Sequence, residues 1–290
     1  MSWRTVVISN SAKLDYQLGY LVVRREELLK IHLDEIGILI IESTAVSLTA
    51  ALLCELNKRK VKIVFCDEKR NPYGELIPYY GAHDTSAKIR RQIAWSEEIK
   101  GAVWTEIVAE KIRKQESVLR RTDHSEADML ATYIQELQFC DCTNREGHAA
   151  KVYFNALFGK DFTRTAENSI NAALNYGYGV LLSLVNREVT ANGYMTQLGL
   201  FHDNTYNPFN LSSDLMEPFR PIIDEFVYRW SPNQFESKDK HKMLGLLEKE
   251  LWVSERKEIL PNAVKIYVRS VFDALNDGEI EHIKFYQDEL

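Results

Sequence analysis

The sequence has no uninterrupted apolar run near the roughly 20 residues that a membrane span requires. Its opening, MSWRTVVISN, has neither the basic start nor the apolar core of a secretory leader. A cytoplasmic protein with no membrane partner is the expectation. Cysteine is scarce, four in 290 residues. Cys54 in an apolar helical stretch and Cys66 at the end of an apolar strand read as reduced core residues. Cys140 and Cys142 form a single C-x-C with no second pair nearby, short of a zinc or redox motif, and read as loop cysteines. Also missing are G-x-x-x-x-G-K-[ST], G-x-G-x-x-G, G-x-S-x-G and H-E-x-x-H, and with them the chemistries those motifs carry. No fixed-period repeat, low-complexity tract or coiled-coil heptad is present.

Positive charge is also in deficit: the formal net charge is −6, which at first argues against a nucleic-acid partner. The sum hides a gradient. Residues 85–121 carry nine Lys/Arg against five Asp/Glu, and residues 122–230 carry seven against fourteen. A basic helical segment beside an acidic one suits an enzyme that grips phosphates while gathering carboxylates, and it equally fits ordinary surface variation.

What is present is enough for two folded domains. The chain is 45% hydrophobic and 27% charged, and 290 residues exceed the usual size of one domain. Trp3–Ile8, Lys13–Gln17, Tyr20–Val23, Lys30–Leu33, Ile38–Glu42 and Val61–Phe65 are short runs of β-formers bordered by Asn10, Gly19 and Gly37. One helix, Ser47 to about Lys58, interrupts them with Leu48, Leu52, Leu53 and Leu56 on one face. Asn71-Pro72-Tyr73-Gly74 reads as a turn, and Pro78-Tyr79-Tyr80-Gly81 as the domain boundary. Beyond residue 85 the pattern is helical. A long charge-laced stretch carries Ile89 to Ile112, a helix follows from Ser125, and others are expected at 145–158, 168–192, 211–230, 240–252 and 262–276. The fold class is therefore α+β: a small β-rich domain, residues 1–80, then a larger all-helical domain, residues 85–290.

Four clusters could carry chemistry. In Asn144–Phe154, Asn144 reads as an N-cap that puts Glu146 in the first helical turn. Asn168, Asn171 and Asn175 form one polar edge of a helix, with Tyr176 and Tyr178 around Gly177, fit either to hold backbone or to meet phosphate. His202 ends the run Leu198-Gly199-Leu200-Phe201, as a core histidine or a ligand. Asp214 and Glu217, three apart, would share a helix face within about 5.4 Å, either as a surface-facing acidic pair or as part of a site. Pro218 and Pro221 beside them delete two backbone donors, so the helix starts late or kinks there. Carboxylates with one imidazole suit Mg²⁺ or Mn²⁺. From residues alone the reading stops at a divalent-metal hydrolase or transferase acting on phosphodiesters.

The stretches E-G-x-x-A-x-x-Y-F at Glu146–Phe154, N-x-x-L-N-Y-G-Y at 171–178, G-L-x-H at 199–202 and D-L-M-E-x-F-R-P at 214–221 occur in order. Together they resemble the CRISPR-associated spacer-acquisition integrase and endonuclease family. KIVFCDEKRNPYGELIPYY and RQIAW look like its type II-A branch. The resemblance implies Glu146, His202 and Glu217 as catalytic metal ligands, the last an aspartate in many relatives. It implies Asp214 as a supporting acid and Tyr176 as a tyrosine near DNA. It further implies residues 1–80 as a dimerisation and partner-contact domain, residues 85–290 as the catalytic domain, and a homodimer. That homodimer would join a small second adaptation protein, and in the type II-A branch further components, to insert short duplex DNA into the CRISPR array by 3′-hydroxyl attack. For an acidic protein to hold DNA, the basic residues Lys88, Arg90, Arg91, Lys111, Arg113 and Lys114 are expected along the duplex. Two other readings stay open: a structure-selective nuclease or resolvase on branched DNA, and a catalytically silent DNA-binding scaffold.

Overall fold

The computed structural model describes residues 4–78 and 82–287. The chain divides into two compact units, residues 1–81 and 82–290. Trp3, placed at the start of the first strand, and Tyr79, Tyr80 and Gly81 of the boundary sequence lie outside the described residues.

The first unit holds two four-stranded sheets. One has the order β1 (Arg4–Ile8), β5 (Ile36–Ile41), β7 (Lys62–Cys66) and β8 (Pro72–Glu75), parallel except for the antiparallel β7–β8 pair. The other has the order β4 (Leu28–His32), β3 (Tyr20–Arg24), β2 (Ala12–Gln17) and β6 (Val46–Leu48). All six residues of β5 are buried, as expected of a central parallel strand written as one apolar run. Leu14, Leu21, Val23, Leu39, Ile41 and Ile63 pack with Leu52 and Leu56 of α1 (Ala50–Lys58) in one core. Leu18 and Gly19 join β2 to β3 with φ of 46° and 88°, the two left-handed residues of a type I′ hairpin.

Three expectations for this unit need correction. The helix begins at Ala50 under a Thr49 cap, and Val46–Leu48 is a strand paired parallel to β2. Asn71–Gly74 is not only a turn: Pro72–Glu75 is an edge strand, where a proline loses no ladder bond, and Glu75 pairs with buried Lys62 of β7. Cys54 is exposed, because the apolar face of α1 is carried by Leu52 and Leu56.

The second unit is helical but for one hairpin. Its elements are α2 (Thr85–Ile93), α3 (Glu97–Arg121), α4 (Ala127–Gln135), α5 (Arg145–Phe158), α6 (Ser169–Ala191), α7 (Asn210–Leu215), α8 (Arg220–Trp230), α9 (Ser237–Leu244), β9 (Glu250–Val253), β10 (Arg256–Ile259) and α10 (Leu260–Asp277). α3 is the axis. Ser96 caps it, Glu97 and Glu98 start it, Arg120 and Arg121 end it, and it packs against α4, α5, α8 and α10. It is buried along most of its length, including Glu110, Lys111, Lys114 and Gln115. The hairpin replaces the end of the helix expected at 240–252. Its turn residues Ser254 and Glu255 both have positive φ without being Asn or Gly, so the usual type I′ signal is absent from the sequence.

Candidate metal centre

Glu146 stands in the first turn of α5, where it was expected, but the cap is different. Asn144 is left-handed, with φ of 53°, and makes no side-chain cap bond. Asp141 does that work: its carboxylate accepts the Arg145 N–H at 2.6 Å and the Glu146 N–H at 3.0 Å. Two donors that a helix start leaves unpaired are satisfied by one buried anion. Gly147 lets Asn144 fold against the helix, since a Cβ there would meet the Asn144 amide at 2.7 Å.

The helix expected at 211–230 is broken in three. α7 ends at Leu215, Glu217–Phe219 is a single 3-10 turn, and α8 starts at Arg220. Pro218 and Pro221 each sit in the first turn of their segment, where a missing N–H costs nothing. The break separates the two acids that the sequence put on one face. Asp214, fully buried, turns to the loop before α7 and accepts the N–H groups of Leu200 (2.6 Å), Phe201 (3.2 Å) and His202 (3.2 Å). Gly199 makes that wrapping feasible, because a Cβ would overlap the His202 carbonyl and lie 2.8 Å from Asp214 Oδ2.

The same carboxylate lies 2.5 Å from His202 Nδ1. A carboxylate only accepts, so Nδ1 carries the proton that faces it and Nε2 is left for another partner. The bond to Asp214 raises the His202 pKa against burial, and the charges of Asp214, Glu217 and Glu146 push the same way. Trp104 of α3 meets the imidazole edge-on at 5.8 Å and stacks on Phe201 at 4.7 Å, fixing the ring from the side.

Glu146 and Glu217 converge on Lys111 of α3. The ammonium is 2.5 Å from Glu146 Oε1 and 2.5 Å from Glu217 Oε2, and Arg220 Nε donates to Glu217 Oε1 at 2.8 Å. Burial pushes the Glu217 carboxyl up, but Arg220 and Lys111 outweigh it and hold the group below its ordinary value. Burial likewise works against the Lys111 charge, and Glu217 with Glu146 overcomes it. Among the described residues no three or more His, Cys, Asp or Glu side chains are gathered as a ligand cage. The two carboxylates instead share one ammonium, and the imidazole stands within their field.

This placement corrects part of the expected DNA track. Lys111 and Lys114 are 7% and 8% exposed, the latter held by Glu110 and the Tyr286 ring. Both lie on faces of α3 that the core covers, so neither can lie along a duplex. Arg113 is exposed and paired with Glu110 at 3.0 Å, and Lys88 is paired with Asp84 at 3.3 Å. Arg90 and Arg91 are exposed on α2. Tyr176 is 4% exposed, packed on Phe235 with Lys240 over its ring, so it offers no surface to DNA. The asparagine edge has a structural role: Asn168 caps α6, while Asn171 and Asn175 accept from Arg164.

Behind Glu217 lies a group that no sequence motif flagged. Asp224 of α8 is 1% exposed and accepts the Tyr178 hydroxyl, while Arg220 and Arg164 stand over the Tyr178 ring at 4.6 and 5.2 Å. Burial pushes the Asp224 carboxyl from 3.8 up to about 7, and Tyr178, Arg220, Arg164 and Lys111 pull only part of the way back. A folded pKa above the unfolded one means the native state binds more protons in between, so stability falls as pH rises from about 4 to about 7 and then levels off. Asp224→Asn keeps an acceptor for Tyr178 and removes that penalty. Its stability relative to the parent should climb across this window, with a slope of at most about 1.4 kcal/mol per pH unit. Denaturant melts at several pH values read it, and a difference independent of pH contradicts it.

Known proteins resemble this chain in sequence and in fold. The family model described as CRISPR associated protein Cas1 matches residues 5–258. A CRISPR-associated endonuclease Cas1 from Neisseria meningitidis serogroup C (strain 8013) is 39% identical over 226 residues, 77% of this chain and 74% of that protein. Among solved structures, a Cas1 protein from Thermotoga maritima superposes with a TM-score of 0.77 at 16% identity, covering 99% of this chain and all of the other. A casposase bound to an integration product gives 0.76 at 17% identity, covering 96% and 91%. A Cas6-RT-Cas1–Cas2 complex gives 0.72 at 15% identity, covering 99% of this chain and 36% of that one. The solved structures share the architecture of a β-rich unit followed by a helical one, and the family model and the Neisseria relative extend the match to sequence. The chain belongs to the CRISPR-associated Cas1 family.

Proposed function

We propose that the chain is a divalent-metal-dependent integrase of CRISPR adaptation, joining short duplex DNA to the array by transesterification. The observation that carries this reading is the convergence of Glu146 and Glu217 on one buried cation, beside an imidazole whose Nδ1 is fixed by Asp214. The seat now taken by the Lys111 ammonium is lined by two hard oxygen donors. That donor set fits Mg²⁺ or Mn²⁺, with His202 Nε2 as the third ligand. When bound, such an ion stabilises charge on a phosphodiester and on its attacking and leaving oxygens. The chain's own part is to hold the site. Asp141 fixes the start of α5 and so Glu146, Arg220 fixes Glu217, and Asp214 with Trp104 fixes His202. A 3′-oxygen attacks the array phosphodiester as one phosphodiester replaces another, so no external energy source is required.

Support for joining comes from the casposase neighbour, described with an integration product, and for a partner from the Cas1–Cas2 complex among the neighbours. The working unit is a homodimer bound to a small second adaptation protein and double-stranded DNA, with residues 1–80 providing dimer and partner contacts and the helical unit the chemistry. In the type II-A branch further adaptation components would join. The name endonuclease on the relative favours cleavage as the rival outcome. Purified chain, its partner, Mn²⁺, a short duplex and supercoiled array plasmid separate the cases. Joined product supports the integrase, nicking or cutting alone supports a nuclease or resolvase, and neither supports a silent scaffold.

Duplex affinity in this proposal draws on Arg90 and Arg91, the exposed basic pair of α2. Replacing both by Gln should weaken binding to every short duplex tested and make the salt slope shallower by about one to two units, since each neutralised phosphate contributes about −0.9. Fluorescence anisotropy over a salt series measures it. Unchanged affinity and slope would move the DNA track away from α2.

A further inference from the structure

We infer that Lys111 is the resident counter-ion of the centre: it holds Glu146 and Glu217 together in the metal-free protein, and a divalent ion must displace it to bind. The inference rests on the metal reading above and goes beyond it, because it assigns a competitor rather than a ligand.

The geometry leaves the ammonium one seat. Lys111 Nζ lies 2.5 Å from an oxygen of each glutamate, and the three side chains are 9%, 22% and 4% exposed for Lys111, Glu146 and Glu217. Two carboxylates with this little water around them repel strongly when no cation lies between them. Arg220 balances Glu217 from the other oxygen, Oε1, and among the described residues only Lys111 is placed between the two glutamates. The lysine is also anchored where it cannot drift far. It projects from the middle of helix α3, where Val108, Ile112 and Gln115 around it are all buried. A divalent ion held by the same two carboxylates would need the space between them that the ammonium fills. An ammonium already at 2.5 Å from both would then face a dication at close range, so the two cations exclude one another. The sequence logic agrees. Trp104, Ile107, Lys111 and Val118 recur at helical spacing on a buried face of α3, and a buried lysine is tolerated there only with anions opposite.

The result is a site assembled before its ion arrives, at the cost of some affinity for it. Lys111→Met removes the charge and keeps the length and the apolar stem. The metal-free variant should melt several degrees below the parent, and Mn²⁺ should then bind it about tenfold or more tightly than the parent, equivalent to about 1.4 kcal/mol. Its thermal gain on saturation with Mn²⁺ should exceed the parent's for the same reason. Lys111→Arg keeps the charge and should bind Mn²⁺ no more tightly than the parent.

The experiment takes the full chain stripped with EDTA and titrates Mn²⁺, following the free-ion signal by electron paramagnetic resonance, with thermal melts alongside. Tighter binding by Lys111→Met but not by Lys111→Arg supports the inference, and so does a Met variant that folds only once Mn²⁺ is added. Equal or weaker Mn²⁺ binding by the Met variant overturns it while the metal reading stands. Equal tightening by Met and Arg overturns it as well, since charge would then be irrelevant. A parent protein that takes up no Mn²⁺ at millimolar concentration overturns the metal reading and this inference together.

Discussion

Joining of a short duplex to array DNA falls by about a thousandfold or more in Glu146→Gln, His202→Ala and Glu217→Gln, each assayed with Mn²⁺ and the partner protein. In the proposed three-ligand centre, loss of one ligand would remove several kcal/mol of charge stabilisation at the phosphodiester, and each 1.36 kcal/mol is a factor of ten in rate. The three variants should differ in stability even where they agree in activity. Glu217 is 4% exposed and pairs with both Lys111 and Arg220, so Glu217→Gln takes one anionic partner from each and should cost about 3–5 kcal/mol. Glu146 is 22% exposed and pairs with Lys111 alone, and its variant should melt closer to the parent. Glu217→Asp keeps the carboxylate on an arm one methylene shorter and should keep part of the activity. Gel-resolved joining rates with parallel thermal melts measure all four. Near-parental joining by any of the first three would remove that residue from the ligand set.

Asp214→Asn should be among the most destabilising single changes in the helical unit. The carboxylate, itself fully buried, accepts three backbone N–H groups and the His202 Nδ1 proton. An amide supplies one oxygen and turns an NH₂ group toward the remaining donors. Stranding one or two buried donors costs about 1–3 kcal/mol each, so about 3 kcal/mol is expected in total. For a unit of this size that is a drop of about 6–12 °C in melting temperature. Where the variant is folded, turnover should fall about 10- to 100-fold, because the His202 ring loses the bond that fixes its orientation and proton. Turnover should suffer more than Mn²⁺ affinity. Equal losses of Mn²⁺ affinity in Asp214→Asn and Glu217→Gln would make Asp214 a ligand, and an unchanged melting temperature would contradict the wrapped-loop account.

What the sequence revealed depended on how local the cause was. α5 was bounded correctly at residues 145 and 158, because Glu146, the apolar stripe Ala149–Tyr153 and Gly159 all lie in or beside one helix. The β-rich start was legible because runs of β-formers and the turn residue Gly19 are local too. Failures came where distant residues decide. Asn144 looked like the cap, but Asp141 reaches the same donors from a chain reversal with positive φ at Cys140 and Asp141, which nothing nearby in sequence announces. Lys111 and Lys114 looked like surface charge because a charge census cannot see that α3 is enclosed by helices on several sides. Asp214 and Glu217 looked like one acidic pair until the turn at Pro218 divided their tasks. The ordered motifs named the candidate residues, and only the fold explains how those residues sit together. Gly199 is there for the loop that wraps Asp214, and Gly147 for the approach of Asn144.

The proposed centre puts one divalent ion between Glu146, His202 and Glu217, at the seat of the Lys111 ammonium. Crystals of the full chain soaked in Mn²⁺ and measured at the manganese absorption edge test it directly. The account predicts a single anomalous peak in the second unit, bonded to Glu146, Glu217 and His202 Nε2, with the Lys111 ammonium moved out from between the carboxylates. A peak elsewhere, or Lys111 still bridging the two glutamates at full Mn²⁺ occupancy, would contradict it.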